Sequence, residues 1–73
     1  MKYYVAEFLE SDSGTEQDTK LFDSKIDAYD FYYGNVRKGI NLIKNGHNTN
    51  VAYYLFDSSG NPLRSNIFNV KDF

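Results

Sequence analysis

Cysteine is absent from this 73-residue chain, and histidine and proline each occur once. Without cysteine the chain forms neither a disulfide nor a thiolate zinc site, and a reducing, intracellular setting is expected. His47 lies in a polar segment, and a lone loop histidine is usually a solvated side chain, because a base or a metal ligand needs oriented companions. We therefore predict no metal site, no cofactor and no catalytic residue.

Long apolar runs are also absent. No run approaches the roughly 18 residues that a membrane span needs, and the first residues lack the charged and apolar regions of a signal peptide. A cytoplasmic protein without a membrane partner is expected. Five acidic residues lie between Glu7 and Asp18, but their spacing does not match the calcium loop of an EF-hand.

Basic charge is scarce too. The formal net charge is −2, so the chain has no electrostatic footprint for nucleic acid or acidic membranes. A Gly-x-Ser-x-Gly nucleophile elbow is missing, and nothing in the sequence indicates a small-molecule substrate. The sequence therefore predicts a protein that is not an enzyme.

Aromatic residues are what the chain has in quantity, with seven Tyr and six Phe. Each aromatic side chain buries on the order of 150–250 Å², which is enough for a core in one domain spanning residues 1–73. A core of this size rarely supplies more than about 3–5 kcal/mol, so small domains without disulfides or metals often gain stability by association.

One long amphipathic helix is predicted within the segment Phe22–Gly46, from about Ser24 to Asn45. Ser24, with an acidic residue three positions later, is a helix start signature, and Asn45-Gly46 is a stop signature. At about 100° per residue, one arc of the helix is apolar: Ala28, Tyr29, Tyr32, Tyr33, Val36, Gly39, Ile40 and Ile43. The alternative makes residues 36–44 a fifth strand.

Four strands flank this helix in the predicted order strand, strand, helix, strand, strand. Their bounds, from the alternation of side chains and from turn signals, are Lys2–Glu10, Thr19–Phe22, Val51–Phe56 and Leu63–Val70. The segments Ser11–Asp18 and Asp57–Pro62 are predicted turns, and Lys71–Phe73 is a predicted tail.

The predicted fold class is α+β, with a four-stranded antiparallel sheet in the order 2-1-3-4 and one long helix on one face. This order places the two most apolar strands in the centre, whereas the order 1-2-4-3 would expose them at the edges. Alanine leaves room for a helix, so the face predicted to meet the helix carries Tyr4, Ala6, Phe8, Ala52, Tyr54 and Phe56. Gly39 on the helix would serve the same close approach.

The opposite face is then predicted to be uncovered, with Tyr3, Val5, Tyr53 and Leu55 as a partner-binding patch. The expected function is a non-enzymatic binding module that contacts either a second copy of itself or another protein. A phage or mobile-element accessory or inhibitor protein is one origin that fits this size and an amino-acid usage typical of AT-rich genes. The alternative function is single-stranded nucleic-acid binding through aromatic residues on the sheet, which the charge balance makes the weaker hypothesis.

Overall fold

The computed structural model describes residues 1–72, which form four strands and one long helix in the order ββαββ. The elements are β1 (Tyr3–Ser11), β2 (Gly14–Phe22), α1 (Lys25–Lys44), β3 (Thr49–Asp57) and β4 (Pro62–Phe68), followed by a 3-10 turn (Val70–Asp72). Neighbouring strands pair antiparallel in the order β2-β1-β3-β4. The predicted fold class is confirmed. The predicted tail begins inside the 3-10 turn, and Phe73 lies outside the described residues.

Helix α1 begins and ends where the sequence signals place it. The Ser24 hydroxyl accepts a hydrogen bond from the Asp27 backbone N–H at 3.4 Å, which satisfies one of the unpaired donors of the first turn. After Asn45, the chain leaves the helix through Gly46, whose φ of 90° favours glycine. Residues 36–44 are helical throughout, so the alternative of a fifth strand there is wrong.

Strand β2 is longer than predicted. Only Thr19–Phe22 was predicted as a strand and Ser11–Asp18 as a turn, but the turn occupies residues 12 and 13, and β2 begins at Gly14. Its side chains are polar because β2 is an edge strand with most residues exposed, while its backbone pairs with β1 over the full length. Polar composition therefore reflects exposure on both faces and not a loop.

The face that meets the helix is the reverse of the prediction. Val5, Tyr53 and Leu55, predicted to be uncovered, are at most 1% exposed and form the core with residues from α1. Tyr3, the fourth member of the predicted patch, is half-buried and packs against the same core. The uncovered face is the one that carries Ala6 and Ala52.

The reason for the reversal is that the small residues that allow close packing of helix and sheet lie on the helix and not on the sheet. A Cβ at Gly39 would lie 2.8 Å from Cε2 and 2.9 Å from Cζ of Tyr53, and closer still to its hydroxyl. Ala28, at 0% exposed, is a second small residue on the same side of α1. Because the close approach comes from the helix, the sheet face beneath it can carry large residues, and alanines there are unnecessary.

Both flanks of the helix are held to the sheet by aromatic side chains. On the β2 side, the rings of Phe22 and Phe31 are 5.2 Å apart, and the Lys20 ammonium lies 5.0 Å from the Phe31 ring centre. On the β4 side, the Tyr32 hydroxyl donates a hydrogen bond of 2.6 Å to Oδ1 of Asn66. These contacts place α1 across the middle of one face.

Candidate functional site

The candidate site is the sheet face opposite α1, which we call the open face. Strand pairing places three side chains of β1 beside three of β3: Tyr4 beside Phe56, Ala6 beside Tyr54, and Phe8 beside Ala52. The edge strands extend these rows with further side chains, namely Gln17, Thr19 and Leu21 from β2 and Pro62, Ser65 and Ile67 from β4. All of these residues together are the open face.

Aromatic rings dominate its centre. Tyr4 and Phe56 stack with ring centres 5.3 Å apart, and Phe8 and Tyr54 meet edge to face at 5.7 Å. Each of the four is half-buried, because its neighbours in the sheet cover the ring edges and leave the outer surface in water. These contacts hold the rings in place and restrict the freedom of their side chains.

A shallow groove of about 770 Å³ runs between the rings. Ala6 and Ala52 contribute to its lining together with Phe8, Tyr54 and Phe56. Ala6 is only 6% exposed despite lying on this face, because the larger residues around it rise above its methyl group. On the open face, the aromatic rings therefore project outward, and the two alanines lie in the depressions between them.

Every side chain of the open face is uncharged at neutral pH. Charged side chains begin one row beyond at each end: at Glu10, where Asn50 Nδ2 donates a hydrogen bond of 3.4 Å to the carboxylate, and at Lys2, which forms an ion pair with Asp23. At the margins, Leu21 is 50% and Ile67 60% exposed. Among residues 1–72, the helix packs against the core on the other side. The 3-10 turn reaches only the end of the sheet, where the Val70 N–H donates a hydrogen bond of 2.8 Å to Asn50 Oδ1, so the described chain leaves the centre of this face uncovered.

A second surface, on the helix side of β1 and β2, is acidic. Pairing places Asp18 beside Glu7 and Glu16 beside Leu9, around a cleft of about 420 Å³. Burial raises the pKa of Glu7, the Asp18 and Glu16 carboxylates raise it further, and the Lys38 ammonium opposes them. Even so, the described residues 1–72 contain no group of three or more His, Cys, Asp or Glu side chains placed to hold a metal ion.

The sequence-predicted patch is brought together by the structure, but in the interior. Val5 pairs directly with Leu55, and Tyr3 and Tyr53 flank this pair on the same face. All four lie under α1 or pack against its contacts. A partner cannot reach this patch unless the helix leaves the sheet.

The strand β2 carries a signal that could have identified the open face. Alternate residues of β2 point to opposite faces of the sheet. The side chains on one face are neutral, namely Thr15, Gln17, Thr19 and Leu21. Those on the other face are mostly charged, namely Glu16, Asp18 and Lys20, followed by Phe22. Pairing aligns the neutral set with the open face. Since β2 was predicted to be only four residues long, this alternation was not available to orient the faces.

Comparison of the chain with protein-family models, with curated proteins and with solved structures finds no significant match. Within residues 1–72, no helix has both the length and the apolar character needed to cross a bilayer.

Proposed function

We propose that this chain is a non-enzymatic, cytoplasmic binding module that works through protein–protein contact at the open face. The observation that carries the proposal is a contiguous, neutral, aromatic surface on a sheet whose other side already holds the core. Tyrosine and phenylalanine are enriched where proteins meet, whereas charged residues are depleted at the centre of such contacts. The open face has both properties.

The dimensions of the open face support a contact surface. Four strands at ~4.8 Å spacing are about 19 Å across, and 9 residues of β1 at ~3.3 Å each span about 30 Å. Together these give roughly 570 Å² for the whole sheet face opposite α1. The open face covers the five residues from Tyr4 to Phe8 of that length and so measures roughly 310 Å². The largest apolar patches of ordinary monomers measure about 300–600 Å² and are often functional, and the open face falls within that range.

The charges favour a protein over single-stranded nucleic acid. Aromatic rings on an open sheet do stack bases in some proteins, which is why nucleic acid is the second candidate. Phosphates, however, need clustered Lys and Arg beside the rings. Arg64 contributes to the groove lining, but its guanidinium lies over the Tyr29 ring on the helix side, and Arg37, Lys38 and Lys44 lie on α1. We expect no salt-sensitive retention of the protein on single-stranded DNA or RNA. Tight retention that weakens with salt and with Tyr54→Ala would favour the second candidate.

A photo-cross-linking amino acid at Gln17 tests the proposal without knowledge of the partner. Gln17 is an exposed member of the open face, and Asp30 is an exposed position on α1 that serves as the matched control. In cells that make the full chain, we expect discrete protein adducts from position 17 and few from position 30. The adducts should disappear when Tyr54→Lys places a charge in the centre of the face.

Two results would contradict the proposal. One is the absence of any protein adduct from position 17, and the other is a set of adducts that Tyr54→Lys leaves unchanged. Thermal unfolding of the Tyr54→Lys variant serves as the control for folding, because this half-buried residue also contributes to the sheet.

A further inference from the structure

We infer that the occupant of the open face is a second copy of this chain, packed sheet to sheet about a two-fold axis that runs parallel to the strands between β1 and β3. The inference rests on the proposed function, since it names the partner of the same surface. Such an axis places β1 of one copy over β3 of the other and β2 over β4, with the two sheets about 10 Å apart.

The pattern of large and small residues favours this axis. In each copy Ala6 pairs with Tyr54, and Ala52 pairs with Phe8. The two-fold therefore sets Tyr54 of one copy over Ala6 of its partner and Phe8 over Ala52, so that rings of each face enter the low positions of the other. Facing large and small residues is what lets two layers interdigitate without voids.

On the two central strands, Tyr4 and Phe56 are the one pair of large residues that this arrangement sets opposite each other, near one end of the interface. Packed sheets are rotated by about 30° relative to each other. This rotation moves positions far from the centre sideways, so the two stacked ring pairs lie next to each other and do not collide.

The charges agree with the same axis. Glu10 pairs with Asn50 in the row beyond Phe8. Before the ~30° rotation of the sheets, the strand-parallel two-fold places Glu10 of one copy over Asn50 of its partner, where an amide can donate to a carboxylate. The open face itself is neutral, so no like charges oppose association at its centre.

The area allows a weak dimer if the whole sheet face takes part. Two whole sheet faces of roughly 570 Å² each, the open face and the rows beyond it, bury about 1,100 Å² in total, just below the lower limit of about 1,200 Å² for standard specific interfaces. A dissociation constant in the micromolar range is therefore expected. Association would also give this small domain the additional burial that its single core lacks.

Sedimentation of the full chain over micromolar concentrations is the first test. We expect a monomer–dimer equilibrium that Tyr54→Lys weakens by at least about 30-fold, the loss typical of a central contact residue. Ile67→Lys, at a 60% exposed position of the same face, should also weaken the dimer with little effect on folding. Ile26→Lys, at a 75% exposed position in the first turn of α1, is the matched control and should leave it unchanged.

Cross-linking tests the axis itself, and the absence of native cysteine makes single-cysteine variants clean reporters. Gln17 and Ile67 lie in one row at opposite edges of the sheet, so the strand-parallel axis places Gln17 of one copy over Ile67 of its partner. Two copies of Gln17 would be about 14 Å apart across the strands. With a short bis-maleimide, an equal mixture of Gln17→Cys and Ile67→Cys chains should yield mainly the mixed dimer.

The outcomes separate this inference from the proposed function. A chain that stays monomeric, a dimer that Tyr54→Lys and Ile67→Lys do not weaken, or cross-links mainly between identical positions would each overturn the inference. If the chain is monomeric but position 17 still forms adducts with another protein, the proposed function stands and only the partner differs. If position 17 forms no adduct at all, both fail.

Discussion

Gly39→Ala tests how the helix is seated on the sheet. The added methyl group would lie 2.8–2.9 Å from ring atoms of Tyr53 and closer to its hydroxyl, distances at which something must move. Tyr53 is 1% exposed and cannot rotate away, so the helix must lift or the ring must displace its neighbours. Overpacking of this kind typically costs about 1–3 kcal/mol.

The same substitution also replaces a helix-interior glycine by alanine, and this replacement alone stabilises a helix by about 0.8–1 kcal/mol. Gly34→Ala provides the control, since Gly34 lies in the same helix and a Cβ there meets nothing within 4 Å. The propensity gain is common to both variants. The difference between them therefore reports the overpacking cost alone.

Urea and thermal unfolding of both variants at one protein concentration measure this difference. Gly34→Ala should be more stable than the wild type by up to about 1 kcal/mol, and Gly39→Ala should be less stable than Gly34→Ala by about 1–3 kcal/mol. For a domain of this size each kcal/mol corresponds to about 4–8 °C in Tm. Equal stabilisation by the two substitutions would refute the close seating of α1 on Tyr53.

Three further substitutions test individual contacts. Glu7→Gln should raise Tm at pH 7, because the raised pKa of Glu7 means that its carboxylate is less favourable in the folded than in the unfolded state. The increase should vanish below the ordinary pKa of 4.5, where Glu7 is protonated in both states. The control Glu10→Gln should not raise Tm. Asp57→Ala should lower Tm at neutral pH and much less in acid, because hydrogen bonds to its carboxylate lower its pKa from 3.8, and that stability is lost as the pH falls. Tyr32→Phe should cost about 0.5–1.5 kcal/mol in urea unfolding by removing the hydrogen bond to Asn66, equally at pH 6 and pH 9, because burial raises the pKa of Tyr32 to about 12.

The fold could be predicted from the sequence because its main signals are local. Ser24 and Gly46 mark the ends of the helix, and the apolar arc between them is continuous. The strand order follows from placing the most apolar strands in the centre, which protects them from edge pairing. Neither argument needs knowledge of side-chain packing.

The faces could not be assigned in the same way, because both sides of β1 and β3 are apolar. A period of two separates the side chains into two sets but does not say which set the helix covers when neither is polar. The decision depends on packing: Gly39 removes the steric need for alanines beneath the helix, and Val5 and Leu55 fill the space between. The prediction of which face stays uncovered was therefore wrong.

The composition of the two faces follows from how each is covered. Beneath α1 the cover is permanent, so the centre of that face is filled by side chains at most 1% exposed, and its margin carries Lys20 and Arg64, whose charged groups lie over the Phe31 and Tyr29 rings. If the open face binds a partner as proposed, it must be stable in water when unbound and bury its surface when bound. Tyrosine meets both demands with an apolar ring and a polar tip, as at Tyr4 and Tyr54, and neutral neighbours such as Gln17 can be desolvated at far lower cost than a charge. A face that is merely solvated surface has no reason to avoid charge, and this avoidance, more than the aromatic content alone, is what supports the proposed role of the open face as a contact surface.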